Sequence, residues 1–230
     1  MDTRSASGRS AFVRDIIIGM SDGITVPFAL TAGISGVVSG NAVILIAGIS
    51  EICAGSISMG LGGFLSARTE IDRYYAQQRD EYRQVKEGRE GEKQEVRDAL
   101  ASYGLSQQAQ NMVADELSGN EEQWVQFMMR NELGLEAPDD KRAAKSAFNI
   151  GASYIIGGLI PLTGYMATDS PRYGLILSSA ITLAVLLVFG YLKSRYTREK
   201  AIRGALKTAL IGVAAAGAAF TFARLLNSAA

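Results

Sequence analysis

Residues 16–67 read IIIGMSDGITVPFALTAGISGVVSGNAVILIAGISEICAGSISMGLGGFLSA, and only two of them, Asp22 and Glu51, carry a charge. One helical crossing of a bilayer needs about 20 mostly apolar residues, so this stretch is long enough for two crossings. Asn41 lies in an uncharged turn region near its middle. The sequence therefore predicts a transmembrane hairpin, with a first span at about 15–39 and a second at about 42–67.

Each predicted span of this hairpin keeps one carboxylate. A carboxylate at the centre of a membrane helix costs about 2.5 to 3.5 kcal/mol on insertion scales, so we expect Asp22 and Glu51 to handle a cation or a proton. Pro27 lacks the backbone donor that would bond to the Gly23 carbonyl, and this frees a carbonyl oxygen beside Asp22. Proline and glycine are also common in membrane helices, so the kink alone does not establish a ligand.

The composition restricts the chemistry of any site. The chain has no histidine and a single cysteine, Cys53, inside the second predicted span. Disulfides, Cys or His zinc sites and histidine proton relays are therefore excluded. A bound metal would need carboxylate, carbonyl, hydroxyl or methionine sulfur ligands, and a proton inside the membrane would have to be carried by Asp22 or Glu51.

The charged residues are concentrated in one part of the chain. Residues 68–145 hold 17 of the 23 acidic and 12 of the 23 basic residues. The second span is expected to continue as one helix to about Glu87, followed by helices at about 92–102, 107–118 and 120–134, each with capping or glycine signals. Eight apolar residues should form a small core: Val96, Leu100, Val113, Leu117, Trp124, Val125, Phe127 and Leu133. This segment is predicted to be a helical subdomain.

Three more spans are predicted, at about 147–167, 173–192 and 206–223. The predicted fold is an all-α membrane protein with five transmembrane helices and a cytosolic helical subdomain between the second and third. The chain is expected to have three parts. Residues 1–67 hold a polar tail at 2–15 and two spans, residues 68–140 form the insert, and residues 141–230 hold three spans. The tail lacks the apolar core of a signal peptide, so the first span should direct insertion. The positive-inside rule places the N-terminus and the insert in the cytosol.

The insert carries a second set of candidate ligands. Glu92 and Glu95 are three residues apart and Met128 and Glu132 are four apart, so each pair shares one helix face, and Glu81 lies on the extended second helix. Oxygen ligands suit hard or borderline divalent ions, and a methionine sulfur favours transition metals. Glutamate-rich helices are more often solvated and salt-bridged, so both interpretations stay open on spacing alone.

Four motifs taken together resemble a known family. They are SDGITVPFALTAG from Ser21, EICAGSISMG from Glu51, FMMRNELGLE from Phe127, and GGLIPL at 157–162. In this order, over nearly the whole chain, they are similar to the vacuolar iron transporter family, and in particular to its plant-like iron and manganese branch.

The resemblance implies five spans, a homodimer with the ion path between the first two spans of each subunit, and exchange of cytosolic Fe²⁺ for protons. By position, Asp22, Glu51 and Met59 match the family's membrane path. The family's cytosolic metal-binding residues match Glu81, Glu92, Glu95, Met128 and Glu132. Where the family pattern has a further glutamate, this chain has Gln84, which can ligate through its carbonyl but brings no charge. Glu87 and Glu90 are candidates to compensate.

The predicted function is therefore proton-coupled export of Fe²⁺ from the cytosol, with Mn²⁺, Co²⁺ and Zn²⁺ as further candidate substrates. We expect no enzymatic activity, no prosthetic group and no nucleic-acid partner. The predicted location is a vacuolar or other acidic-organelle membrane, or the inner membrane of a bacterium.

Two other functions remain open. A membrane-anchored di-iron carboxylate oxidase would also use glutamates on helices, but such sites use Glu-x-x-His and this chain has no histidine. A metal-sensing membrane scaffold would bind metal in the insert without transporting it. Oxygen consumption with Fe²⁺ tests the first alternative, and flux through the reconstituted protein tests the second.

Overall fold

The computed structural model describes residues 3–229, with side chains from residue 10 onward. Within them the chain forms eight helices and no strand. They are α1 (Thr3–Ser35), α2 (Asn41–Glu87), α3 (Arg89–Ser102), α4 (Gln107–Leu117), α5 (Glu121–Asn131), α6 (Arg142–Met166), α7 (Pro171–Tyr196) and α8 (Ala201–Ala229). Five of these, α1, α2, α6, α7 and α8, are long and apolar enough to cross a membrane. The all-α class and the five predicted spans are confirmed.

Several helices extend beyond the apolar segments that predicted them. The tail predicted at 2–15 is helical from Thr3, and residue 2 lies outside the described residues. Similarly, α6 begins at Arg142 and α8 at Ala201, each five residues before the predicted span. The hydropathy pattern marks where a helix would enter the bilayer, whereas Ala, Arg and Lys favour helix outside it as well. The predicted bounds therefore described the membrane part only.

The chain divides into two compact units, Met1–Phe64 with Ala144–Ala230, and Leu65–Ala143. In the first unit, glycines allow the helix backbones to approach closely. A methyl group at Gly19 would overlap the Ile150 carbonyl oxygen of α6, and one at Gly164 would overlap the Ser178 backbone nitrogen of α7. Membrane helices associate through such small-residue contacts, because apolar side chains gain little by leaving lipid for one another.

Contacts between α1 and α8 follow the same rule. A Cβ at Gly33 would lie 3.2 Å from the Ala219 carbonyl oxygen, and one at Gly36 would lie 2.9 Å from the Phe220 ring. These two glycines keep the second half of α1 thin enough for α8 to pack against it.

The second unit has its own hydrophobic core. All eight apolar residues predicted for this core are buried in it or packed against it. Tyr74, Val85, Ala114, Met128 and Met129 complete the buried set. Ser106 and Asn120 cap α4 and α5, since their side chains accept hydrogen bonds from the backbone nitrogens of Ala109 and Gln123. These caps satisfy backbone donors that the first helical turns would otherwise leave unpaired.

The glycine contacts predict a difference between two Gly→Ala substitutions. Gly164→Ala should lower the stability of the purified protein by about 1 to 3 kcal/mol, because the new methyl group overlaps the α7 backbone. Gly217→Ala on α8 is the matched control, since its Cβ would meet nothing within 4 Å. Thermal unfolding in detergent measures both. Equal midpoints for the two variants would contradict the close α6–α7 packing.

Candidate functional site

Glu51 of α2 lies opposite a tyrosine of α6. The Tyr154 hydroxyl donates a hydrogen bond to Oε1 of Glu51 at 2.5 Å, and the Tyr154 side chain is only 2% exposed. The second carboxyl oxygen, Oε2 of Glu51, is buried and has no hydrogen-bond partner among the described residues. One oxygen of this carboxyl is therefore oriented by the protein, and the other is left without a hydrogen-bond partner.

Two glycines make this arrangement possible. Gly55 lies one turn after Glu51, and a methyl group there would overlap the Tyr154 hydroxyl. Gly23, next to Asp22, leaves room for the Tyr154 backbone, which a methyl group would also overlap. The helices α1, α2 and α6 thus converge on Tyr154 because two positions in the hairpin lack side chains.

Asp22 belongs to the same neighbourhood. Its side chain is half-buried on α1, one residue before Gly23, where the backbone of Tyr154 approaches α1 closely. The described residues donate no hydrogen bond to Asp22. The two carboxylates that the sequence singled out therefore lie on two helices that both pack against Tyr154, a residue that the sequence reasoning did not single out.

Met59, the third predicted path residue, is half-buried on α2. It lies eight residues after Glu51, which corresponds to about 12 Å along the helix axis. One ion cannot be bound by both side chains at that separation. Met59 therefore lies at a different level of α2 from Glu51 and does not share its site.

Sequence reasoning missed two residues of this region. Tyr154 was not distinguished from other tyrosines, although a hydroxyl in the middle of an uncharged span between glycines was a usable signal. Asp15 is 1% exposed and accepts hydrogen bonds from Ser146 Oγ at 3.2 Å and Asn149 Nδ2 at 3.4 Å. It precedes Asp22 by seven residues, two helical turns, so the shared helix face was visible in the spacing.

In the second unit, four of the predicted metal-binding glutamates lie near one another, and we call them the acidic cluster: Glu81, Glu92, Glu95 and Glu132. Glu81 is 4% exposed and Glu92 is 6% exposed. Burial, and then the negative charges of Glu132, Glu92 and Glu95, raise the pKa of Glu81 to about 7. Neighbouring charged carboxyls repel one another, so the acidic cluster favours bound protons when no cation is present.

Burial and neighbouring negative charges also raise the pKa of two other members of the acidic cluster. Burial, followed by the charges of Glu95 and Glu132, raises the pKa of Glu92. Burial and the neighbouring Glu95 raise the pKa of Glu132. In addition, Oε2 of Glu92 is buried without a hydrogen-bond partner in the described residues. The helices α2, α3 and the end of α5 together hold these carboxyls in a partly dehydrated state.

The remaining predicted ligands of the insert are placed differently. Met128 is fully buried in the hydrophobic core beside Trp124, and Gln84 is exposed on α2. Among the described residues, no three His, Cys, Asp or Glu side chains are grouped so that they could hold a metal ion. The acidic cluster is thus a set of neighbouring carboxyls without a closed coordination geometry.

Comparisons with known proteins agree with the motifs. Residues 13–224 match the model of the VIT family. The chain is 47% identical over 215 residues to "Vacuolar iron transporter 1" of Arabidopsis thaliana, covering 94% of this chain and 86% of that protein. It is 44% identical over 216 residues to the protein of that name from Oryza sativa, covering 94% and 86%.

A fungal relative is more distant. "Protein CCC1" of Saccharomyces cerevisiae is 36% identical over 224 residues, which covers 94% of this chain and 69% of that protein. The plant relatives are named as transporters, in agreement with the expectation that the chain is not an enzyme. With a family match over nearly its whole length and plant relatives close to half identical, the chain belongs to the VIT family.

Proposed function

We propose that this protein carries Fe²⁺ across a membrane in exchange for protons, from the cytosol into an acidic compartment such as the vacuole. Its family and the names of its plant relatives support iron as the substrate and the vacuole as the destination. The observation that carries the proposal is the Glu51 carboxyl, which Tyr154 holds through one oxygen while the other oxygen has no partner.

The exchange depends on competition for the same carboxyl oxygens. Metal ligands must be deprotonated, so a carboxylate that binds Fe²⁺ gives up its proton, and a proton that returns displaces the metal. Asp22 and Glu51 would be deprotonated when the ion arrives from the cytosol and reprotonated from the acidic side. Mn²⁺, Co²⁺ and Zn²⁺ are further candidate substrates, because oxygen and thioether ligands discriminate weakly among these ions.

Tyr154 has a positioning role in this proposal. Its hydroxyl donates to the charged carboxylate, and a hydrogen bond to a charged group is worth about 1.5 to 3 kcal/mol. The bond would hold the Glu51 side chain in one orientation and leave Oε2 without a partner. Gly55 leaves room for the Tyr154 hydroxyl to approach Glu51, so Gly55 and Tyr154 position the carboxyl together.

The acidic cluster would collect or buffer the ion on the cytosolic side. An arriving divalent cation would neutralise the mutual repulsion of Glu81, Glu92 and Glu132 and would replace their protons. Gln84 brings no charge, so fewer metal ions or a lower affinity are expected than with a glutamate there. Glu95 is exposed beside the buried pair and would receive the ion first.

A homodimer is part of the proposal, with the ion path between the first two helices of each subunit. The apolar part of α2 exposes large side chains along one side, with Ile46 at 67%, Ile57 at 71% and Leu61 at 56% exposure. A second copy of the chain would cover this side of α2.

The central test is transport by the two membrane carboxylates. In proteoliposomes with an acidic interior, Asp22→Asn and Glu51→Gln should each reduce Fe²⁺ entry at least tenfold, because an amide can neither release a proton nor neutralise the ion. Asp169→Asn, in the exposed connection between α6 and α7, is the matched control and should transport normally.

The same vesicles test coupling and selectivity. Fe²⁺ entry should depend on the pH gradient, and Mg²⁺ should not replace Fe²⁺. Full activity in either carboxylate variant, or uptake that is indifferent to the gradient, would contradict the proposed exchange.

Tyr154→Phe tests the positioning role. The variant loses only the hydroxyl that orients Glu51, so we expect the half-saturating Fe²⁺ concentration to rise about tenfold, equivalent to 1.4 kcal/mol. The maximal rate should fall less, because both carboxylates remain. Tyr173→Phe is the control, since Tyr173 is 68% exposed. An unchanged concentration dependence in Tyr154→Phe would remove this residue from the mechanism.

The acidic cluster predicts a pH-dependent stability in metal-free buffer. Folding raises the pKa of Glu81 from 4.5 to about 7, so the folded protein holds a proton that the unfolded chain releases. This stabilisation is complete below pH 4.5 and is lost as the pH rises through 7. Trp124, the only tryptophan, is fully buried in the same unit, so its fluorescence reports on this unfolding step.

The urea midpoint of the Trp124 transition should therefore fall between pH 5 and pH 8. In Glu81→Gln the fall should be smaller, whereas Glu70→Gln, which removes an exposed carboxyl of the same helix, should keep the wild-type slope. Fe²⁺ should restore stability at pH 8. A midpoint that rises with pH would show that the cluster does not hold protons in the folded state.

A further inference from the structure

A wide groove lies between the last two membrane helices, at the end where α7 finishes and α8 begins. Its volume is about 1160 Å³, which slightly exceeds the upper range of about 1000 Å³ for small-molecule pockets. The helices touch where a methyl group at Gly190 would lie 2.7 Å from Thr208 Oγ1. Longer side chains on both sides of this contact form the walls.

Four cations surround the polar end of this groove. Arg195 ends α7, Lys200 lies in the connection, and Arg203 and Lys207 lie on the first two turns of α8. All four are exposed, and no ion pair found in the described part of the chain involves any of them. Glu199 is the one acidic residue of the groove wall. The groove wall therefore carries four cations against one carboxylate, an excess of positive charge.

The rest of the groove is apolar. Leu206, between the two cations of α8, is 55% exposed, and Leu210 at 66% exposure and Ile211 at 55% exposure continue along the helix beyond them. A smaller groove of about 420 Å³ lies on the other side of Leu206 and is lined by apolar residues such as Leu187 and Val188. The surface thus changes from cationic to apolar along one helix, as the membrane itself changes from headgroup to hydrocarbon.

We infer that this groove binds an anionic phospholipid. Its phosphate would pair with Arg203 and Lys207, and one acyl chain would lie along Leu206 and Leu210. Isolated basic residues at helix ends often reach toward the interface without a specific partner. Here four of them surround a single depression with an apolar floor, which is the arrangement by which basic pockets between membrane helices select anionic headgroups. A zwitterionic lipid offers no net charge to balance them. This inference does not depend on the transported ion.

The test uses the full-length protein in detergent and measures its thermal midpoint with added phosphatidylglycerol, with phosphatidylcholine of the same acyl chains, or with inorganic phosphate. Phosphatidylglycerol should raise the thermal midpoint of the wild type well above the midpoints measured with phosphatidylcholine and with inorganic phosphate. The double variant R203Q/K207Q should lose this extra increase and bind the lipid at least tenfold more weakly. R203K/K207R, which preserves both charges, should keep it.

R172Q/R224Q is the matched control, because it removes two exposed arginines far along α7 and α8 from the groove. It should respond to phosphatidylglycerol as the wild type does, and native mass spectrometry should find one retained anionic lipid per chain. An equal response to phosphatidylcholine, or full binding by R203Q/K207Q, would overturn the inference. An equal response to inorganic phosphate would assign the cations to a soluble anion instead and would also overturn it.

Discussion

A carboxylate placed inside an apolar helix needs a partner, and much of the membrane unit is arranged around this constraint at Glu51. The partner is the Tyr154 hydroxyl, which lies on another helix and reaches Glu51 only because Gly55 has no side chain. Gly23 gives the same tyrosine room on the opposite side. Gly23 and Gly55 therefore allow the helices to pack and also allow Tyr154 to reach the carboxylate. Replacing either glycine would disturb the helix packing and the hydrogen bond to Glu51.

The sequence predicted the features that depend on residues close to one another along the chain. Charge-free runs located all five long helices, and glycine and capping residues located the three short ones to within a few residues. The eight predicted core residues of the insert all pack together, because amphipathic spacing determines which side of a short helix is apolar. The absence of other charges in residues 16–67 identified the two membrane carboxylates, which lie on helices that pack against one tyrosine.

Features that depend on contacts between distant segments were harder to predict. Tyr154 looked like any other aromatic residue, because its role comes from two glycines that lie 131 and 99 residues earlier in the chain, Gly23 and Gly55. The spacing in the insert suggested which glutamates share a helix face, but it did not show that Glu81 and Glu92 would be buried while Glu95 stays exposed. Met128 was considered as a ligand, and the structure shows its side chain filling the hydrophobic core beside Trp124.

The position of Tyr154 also limits how the membrane unit can move. Its backbone packs against α1 at Gly23, while its hydroxyl holds α2 through Glu51. A shift of α2 relative to α6 would strain or break the hydrogen bond to the carboxylate. The orientation of the Glu51 carboxyl and the packing of α1 and α2 against α6 are therefore mechanically linked through a single side chain.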